Sequence, residues 1–123
     1  MLDSDFICTY AGVAAEIASA RREVGLFLDG CSVRDDVILI VSELASNAIM
    51  HSASAGSVFT VRVELHPGHV YIEVEDLGGP WLKSVDHSRP HGLDIVELLA
   101  PRWGIAGDGT SVPRVVWAQV NHS

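Results

Sequence analysis

The stretch Phe59-Thr60-Val61-Arg62-Val63-Glu64-Leu65-His66-Pro67-Gly68-His69-Val70-Tyr71-Ile72-Glu73-Val74-Glu75-Asp76 decides how this chain folds. Successive side chains of an extended strand point to opposite faces, so Phe59, Val61, Val63 and Leu65 share one side of the first half. His66-Pro67-Gly68-His69 turns the chain, and Val70, Ile72 and Val74 share one side of the returning strand. The pattern is that of an antiparallel hairpin with an apolar face to be covered and a polar face turned outward. Asp76 stands in phase with the apolar positions of its strand, so its carboxylate points at the covered face.

Upstream of the hairpin the periodicity is helical. Val13, Ile17, Ala20, Val24, Phe27 and Leu28 follow one helix face, and Gly30 stops it. Ser32 and Asp35 resemble a capping box, and Val33, Val37, Val41, Leu44 and Ala48 continue helically to about Ser52, before Gly56 breaks the pattern. Phe6 to Tyr10 reads as a short leading strand. Downstream, Leu77 to Pro90 is rich in Gly, Pro and Ser without periodicity and reads as a loop. Leu93, Val96 and Leu99 give a third helix ended by Pro101. Trp103 to Ala106 and Val115 to Val120 are two closing strands. The order is β-α-α-β-β-α-β-β. Helices with one apolar stripe each need a sheet face to cover, which gives an α/β (α+β) two-layer sandwich: a mixed, largely antiparallel sheet of about five strands covered on one face by three helices.

With 123 residues the chain is expected to be one domain, residues 1–123. A hydrophobic fraction of 48% argues against disorder. No apolar run approaches the ~20 residues of a membrane span, and the acidic start Met1-Leu2-Asp3-Ser4-Asp5 is unlike a secretory signal, so a cytoplasmic protein is expected. Cys8 and Cys31 read as two reduced thiols rather than a disulfide framework. The formal net charge of −8 argues against nucleic-acid or anionic-membrane surfaces, both of which need clustered cations. The six histidines are scattered, without the spacing of a zinc site.

Three constellations carry chemistry. Glu43, Asn47 and His51 are spaced by four, so they stack along one side of the second helix. A carboxylate, an amide and an imidazole in one row can hold a hydrated metal and orient a proton acceptor; the same row also fits the solvated face of an amphipathic helix. The second is Asp76 with Gly78 and Gly79. A carboxylate on the core side needs a donor. The amino group of adenine would be one, with the glycines letting backbone approach a flat base; a strand-end carboxylate capping the next turn is the alternative. The third is His91-Gly92-Leu93, a glycine at the mouth of a helix, where free N–H groups and the helix dipole suit phosphate.

Together these segments resemble the GHKL (Bergerat-fold) ATP-binding domain shared by DNA gyrase B, Hsp90, sensor histidine kinases and MutL. They are most similar to its short branch, the anti-sigma factor serine/threonine kinases and their single-domain actinobacterial relatives. Glu43-Leu44-Ala45-Ser46-Asn47-Ala48 with His51 resembles the first motif of that family, in which Glu is the general base and Asn binds Mg²⁺. Val74-Glu75-Asp76-Leu77-Gly78-Gly79-Pro80 resembles the second, whose Asp meets the adenine amine. His91-Gly92-Leu93-Asp94-Ile95-Val96 is similar to the third, whose backbone meets the phosphates. Arg102-Trp103-Gly104 and Val116-Trp117-Ala118 fit the closing strands, and Ser19-Ala20-Arg21 fits the first helix, where the family has an arginine near the phosphates.

The resemblance implies Mg-ATP as ligand, with Glu43 and Arg21 catalytic and Asn47 on the metal. His51, Asp76, Gly78, Gly79, His91, Gly92 and Leu93 would complete the ATP site. It implies phosphorylation of a serine or threonine on an anti-anti-sigma (STAS-type) protein, sequestration of a sigma factor, and a possible homodimer. Two positions depart from the pattern. Pro90 stands where the third motif has its first Gly and has no N–H to donate. The closing strand, Pro113-Arg114-Val115, lacks the hydroxyl that supports the adenine contact. These departures favour the alternative, a non-catalytic module that binds ATP or sequesters a partner through a degenerate phosphate site.

Overall fold

The hairpin forms as its alternation demands. β2 (Val58–His66) and β3 (His69–Asp76) pair antiparallel, with Phe59 opposite Asp76, Val61 opposite Val74 and Val63 opposite Ile72. The turn between them is Pro67-Gly68, and Gly68 takes φ 85°, a conformation that L side chains rarely adopt. The computed structural model describes residues 4–50, 58–76, 93–107 and 112–122. Around the hairpin lie β1 (Ser4–Ala11), α1 (Ala14–Phe27), α2 (Arg34–Met50), α3 (Leu93–Leu99), β4 (Arg102–Ala106) and β5 (Arg114–Asn121).

The five strands form one sheet in the order β1-β2-β3-β5-β4. Every pairing among the described strands is antiparallel, so the sheet is antiparallel throughout, where a mixed and largely antiparallel one is expected from the sequence. The reason is topological: β4 and β5 form a second antiparallel pair, and β5 inserts between β4 and β3 with its direction opposed to both. One face of this sheet is apolar and buried, through Phe59, Val61, Val63, Val70, Ile72, Val74, Val116, Ala118 and Val120. Against it lie Ala20, Val24 and Leu28 of the α1 segment, Val37, Ile40, Val41, Leu44, Ala45 and Ala48 of α2, and Val96 of α3. The result is the two-layer α+β sandwich, with α2 packed across β2, β3 and β5.

Local chemistry ties the layers together. The Tyr10 hydroxyl of β1 donates to Glu23 Oε1 of α1 at 2.5 Å. Burial, and then the Glu23 hydrogen bond, push the Tyr10 phenol well above its ordinary range. Arg34 Nε donates to the Gly25 carbonyl at 2.8 Å, joining α2 to α1. A Cβ on Gly25 would stand 2.8 Å from Arg34 Nη2, so a larger residue there would displace the guanidinium that makes this bond. Two boundaries differ from the sequence reading. Val13 is the N-cap of α1 rather than a core position, and α2 opens at Arg34, with Ser32 in the turn before it. No helix among the described residues is long and apolar enough to cross a membrane.

Ile72 is fully buried in the middle of the central strand, whereas Leu26 is 70% exposed on α1. Ile72→Ala is expected to destabilise the fold by about 2–5 kcal/mol, and Leu26→Ala by no more than about 0.5 kcal/mol, as read by urea unfolding.

Candidate functional site

A strand that alternates apolar and polar residues offers no choice about where its last in-phase side chain goes. Val70, Ile72 and Val74 are buried on the helix-covered face, and Asp76 follows them there, 5% exposed. A carboxylate taken out of water needs a compensating charge or several donors. It has one on the neighbouring strand. The β3–β5 register sets Asp76 directly opposite Arg114, and Arg114 Nη2 donates to Asp76 Oδ1 at 3.0 Å. Arg114 is itself only 4% exposed, in phase with Val116, Ala118 and Val120 on the covered face. The donor that the sequence reading sought outside the protein is thus supplied, in this structure, by the protein.

Arg114 is the site residue that the sequence reading passes over. The signal is present: extending the β5 alternation one residue upstream of Val115 puts an arginine on the apolar face, where only a buried partner could hold it. The partner could have been found from the same rule applied to β3.

The second buried polar side chain is Asn47. It lies on α2 at 2% exposure, flanked by buried Leu44 and Ala48, so it is not part of a solvated face. Its amide nitrogen is buried and has no hydrogen-bond partner among the described residues. An interior amide left unbonded costs roughly 1–3 kcal/mol, and native proteins tolerate few such groups. Half a turn about the side-chain torsion exchanges nitrogen for oxygen, so the same position can present either a donor or a metal-binding oxygen. Glu43, one helical turn earlier, is half-buried. α2 packs on β3, and its C-terminal end leads through residues 51–57 into Val58, beside the cross-strand partner of Asp76. Topology therefore puts Glu43, Asn47, Asp76 and Arg114 on two elements in contact and on the adjoining strand.

Other expected site residues fare differently. Arg21 is exposed on α1, and no hydrogen bond or ion pair among the described residues joins it to Glu43 or Asn47. Leu93 opens α3, half-buried against the core. His51, Gly78, Gly79, His91 and Gly92, with the loop that holds Pro90, lie outside the described residues. A cleft of about 310 Å³ bounded by Phe27, Gly30, Cys31, Leu65 and His122 sits at the opposite end of the sheet, near the hairpin turn, and contains none of the expected residues. No group of three or more metal-ligating side chains occurs among the described residues. No protein-family model and no curated protein matches the chain.

The fit of these residues to Mg-ATP is mixed in an informative way. Asn47 presents an orphaned polar group where a ligand could complete it, and Asp76 is inward-facing, as an adenine acceptor must be. Asp76 is also already engaged by Arg114. Two outcomes follow for stability. Arg114→Met leaves a buried carboxylate without its guanidinium and is expected to cost about 3–5 kcal/mol, more than the double replacement Asp76→Leu with Arg114→Met, in urea unfolding. Asn47→Ala in the ligand-free chain is expected to cost less than about 1 kcal/mol, because it removes a buried amide nitrogen that has no partner among the described residues and inserts a better helix former.

Proposed function

We propose that the chain is a Mg-ATP-binding regulatory protein of the anti-sigma factor type, a GHKL domain that phosphorylates a serine or threonine of an antagonist protein. The observation that carries this is the buried, unbonded amide of Asn47 on the helix that covers the strand ending in the buried Asp76. A buried helix amide nitrogen with no partner among the described residues, on a helix packed over a strand that ends in an inward carboxylate, is what a polar ligand seated between the layers would complete.

Each residue then has a task. Asp76 accepts from the amino group of adenine and selects the base. Asn47 would hold the metal ion through its side-chain oxygen. When bound, magnesium supplies neutralisation of the phosphate charge. Glu43, half-buried one turn before Asn47, takes the proton from the incoming hydroxyl. Arg21, exposed on α1, is the cation for the terminal phosphate, reached once ligand is in place. Phosphoryl transfer depends on positioning and charge neutralisation more than on covalent chemistry, so few groups are required. The partners of such a protein are an anti-anti-sigma (STAS-type) protein, a sigma factor and a second copy of the chain, and their place is the cytoplasm.

One observation favours a second reading. The Arg114 guanidinium gives Asp76 a protein donor, so the fold holds its inward charge without nucleotide. A chain that keeps the architecture and works by sequestering a partner, without transfer, is consistent with that. Radiolabelled ATP mixed with a candidate antagonist separates the two. The catalytic reading expects labelled antagonist, a loss of roughly 10²- to 10⁴-fold in transfer with Glu43→Ala, and nucleotide affinity within a few-fold of the unaltered chain. Transfer that survives Glu43→Ala would remove the assigned base; nucleotide binding with no transfer in the unaltered chain would leave the interaction module.

A further inference from the structure

We infer that the tip of the hairpin is a proton-sensitive latch: the stacked rings of His66 and His69 hold the end of β5 to the turn while at most one of them is charged, and a second proton on the pair releases it.

The fold brings His122 to the two histidines of the turn. His66 and His69 oppose each other across β2 and β3, their rings stacked with centroids 4.5 Å apart and planes at 13°. His122 follows β5. Its backbone N–H donates to the Gly68 carbonyl at 3.0 Å, and its ring Nε2 donates to the His66 carbonyl at 2.8 Å. A carbonyl only accepts, so that nitrogen carries its proton whether the ring is neutral or charged. Both acceptors flank Pro67, so the hold on the end of β5 depends on the shape of the turn that the stacked rings close. His122 also walls the cleft of about 310 Å³ with Phe27, Cys31 and Leu65, and its release opens that cleft.

The charges around the stack treat its two rings differently. A proton on His66 has a counter-charge at once, because Glu64 Oε1 lies 2.9 Å from its Nε2. Arg62 reaches the other oxygen of Glu64 at 3.8 Å, and Asp5 of β1 and Tyr71 of β3 stand opposite Glu64 in the sheet. Glu73 shares the open face of β3 with His69 and Tyr71, and Asp29 lines the cleft with His122. A second proton, on His69, would lie face to face with the charged ring of His66. The His69 ring is accordingly harder to protonate than an ordinary histidine: burial comes first, then repulsion from His66, from His122 and from the chain's amino terminus, with Glu64 opposing them. A histidine of lowered folded pKa adds stability that is fully present above its unfolded value of about 6.5, and that is lost as the pH falls through the folded value. The loss is confined to the tip, since strand ends open independently of the core.

The test is amide hydrogen exchange of the full chain, followed by NMR between about pH 7.5 and about pH 5 and corrected for the intrinsic pH dependence. The His122 amide is expected to lose protection roughly fivefold or more over that range, while the Ile72 amide in the middle of β3 keeps its own. His69→Phe keeps a flat ring against His66 and cannot take a proton, so its His122 protection is expected to stay within about twofold. Protection of His122 that does not change with pH in the unaltered chain would overturn the latch, with no variant needed. An equal fall in His69→Phe would also overturn it, because the proton would then act elsewhere.

Discussion

The inward charge at the end of β3 constrains this end of the molecule. Alternation along Val70, Ile72 and Val74 carries Asp76 into the layer between sheet and helices, and the chain answers with Arg114 from the next strand. The answer works only if β5 lies beside β3 in one register, because a slip of one residue would turn the guanidinium to the opposite face of the sheet. The ion pair and the apolar ladder of Val74 with Val116 and Ile72 with Ala118 therefore specify the same pairing. Neither is sufficient alone: the ladder supplies most of the burial, and the pair penalises every register but one.

At the far end of the same strands the device is different. His122 donates its backbone N–H to the Gly68 carbonyl at 3.0 Å and its ring nitrogen hydrogen-bonds the His66 carbonyl at 2.8 Å, so the end of β5 is pinned to the hairpin turn. At the same end the Glu64 carboxylate lies 2.9 Å from the His66 ring, both partly buried. α2 gives one of its buried positions to an amide nitrogen that finds no partner among the described residues. Natural proteins carry such local costs at sites where a ligand completes the bonding, and stability is given up there for function.

Most of the architecture was legible because it rests on period. Alternation from Phe59 to Asp76 and the helical spacing of Val37, Val41, Leu44 and Ala48 each correspond to a buried face, and the element order follows from them. What was less legible depends on partners that periodicity does not name. The row Glu43, Asn47, His51 fits both a solvated face and a buried one, and only the packing of α2 against the sheet puts Asn47 inside. Arg114 is hidden by Pro113: a strand begun at Val115 leaves the arginine in the turn, although it is in phase with Val116. Ser32 lies in the turn before α2, which opens at Arg34, and the bond from Arg34 to Gly25 of α1 is a contact between helices that local sequence does not show.

The central claim is that a purine nucleotide completes the polar groups of α2 and β3. A crystal structure of the chain with magnesium and a non-hydrolysable ATP analogue tests it most directly. The account predicts the base against Asp76, and the metal ion on the side-chain oxygen of Asn47. Crystals grown at saturating nucleotide in which Asn47 is covered by the chain's own side chains, with the analogue elsewhere or absent, would contradict it.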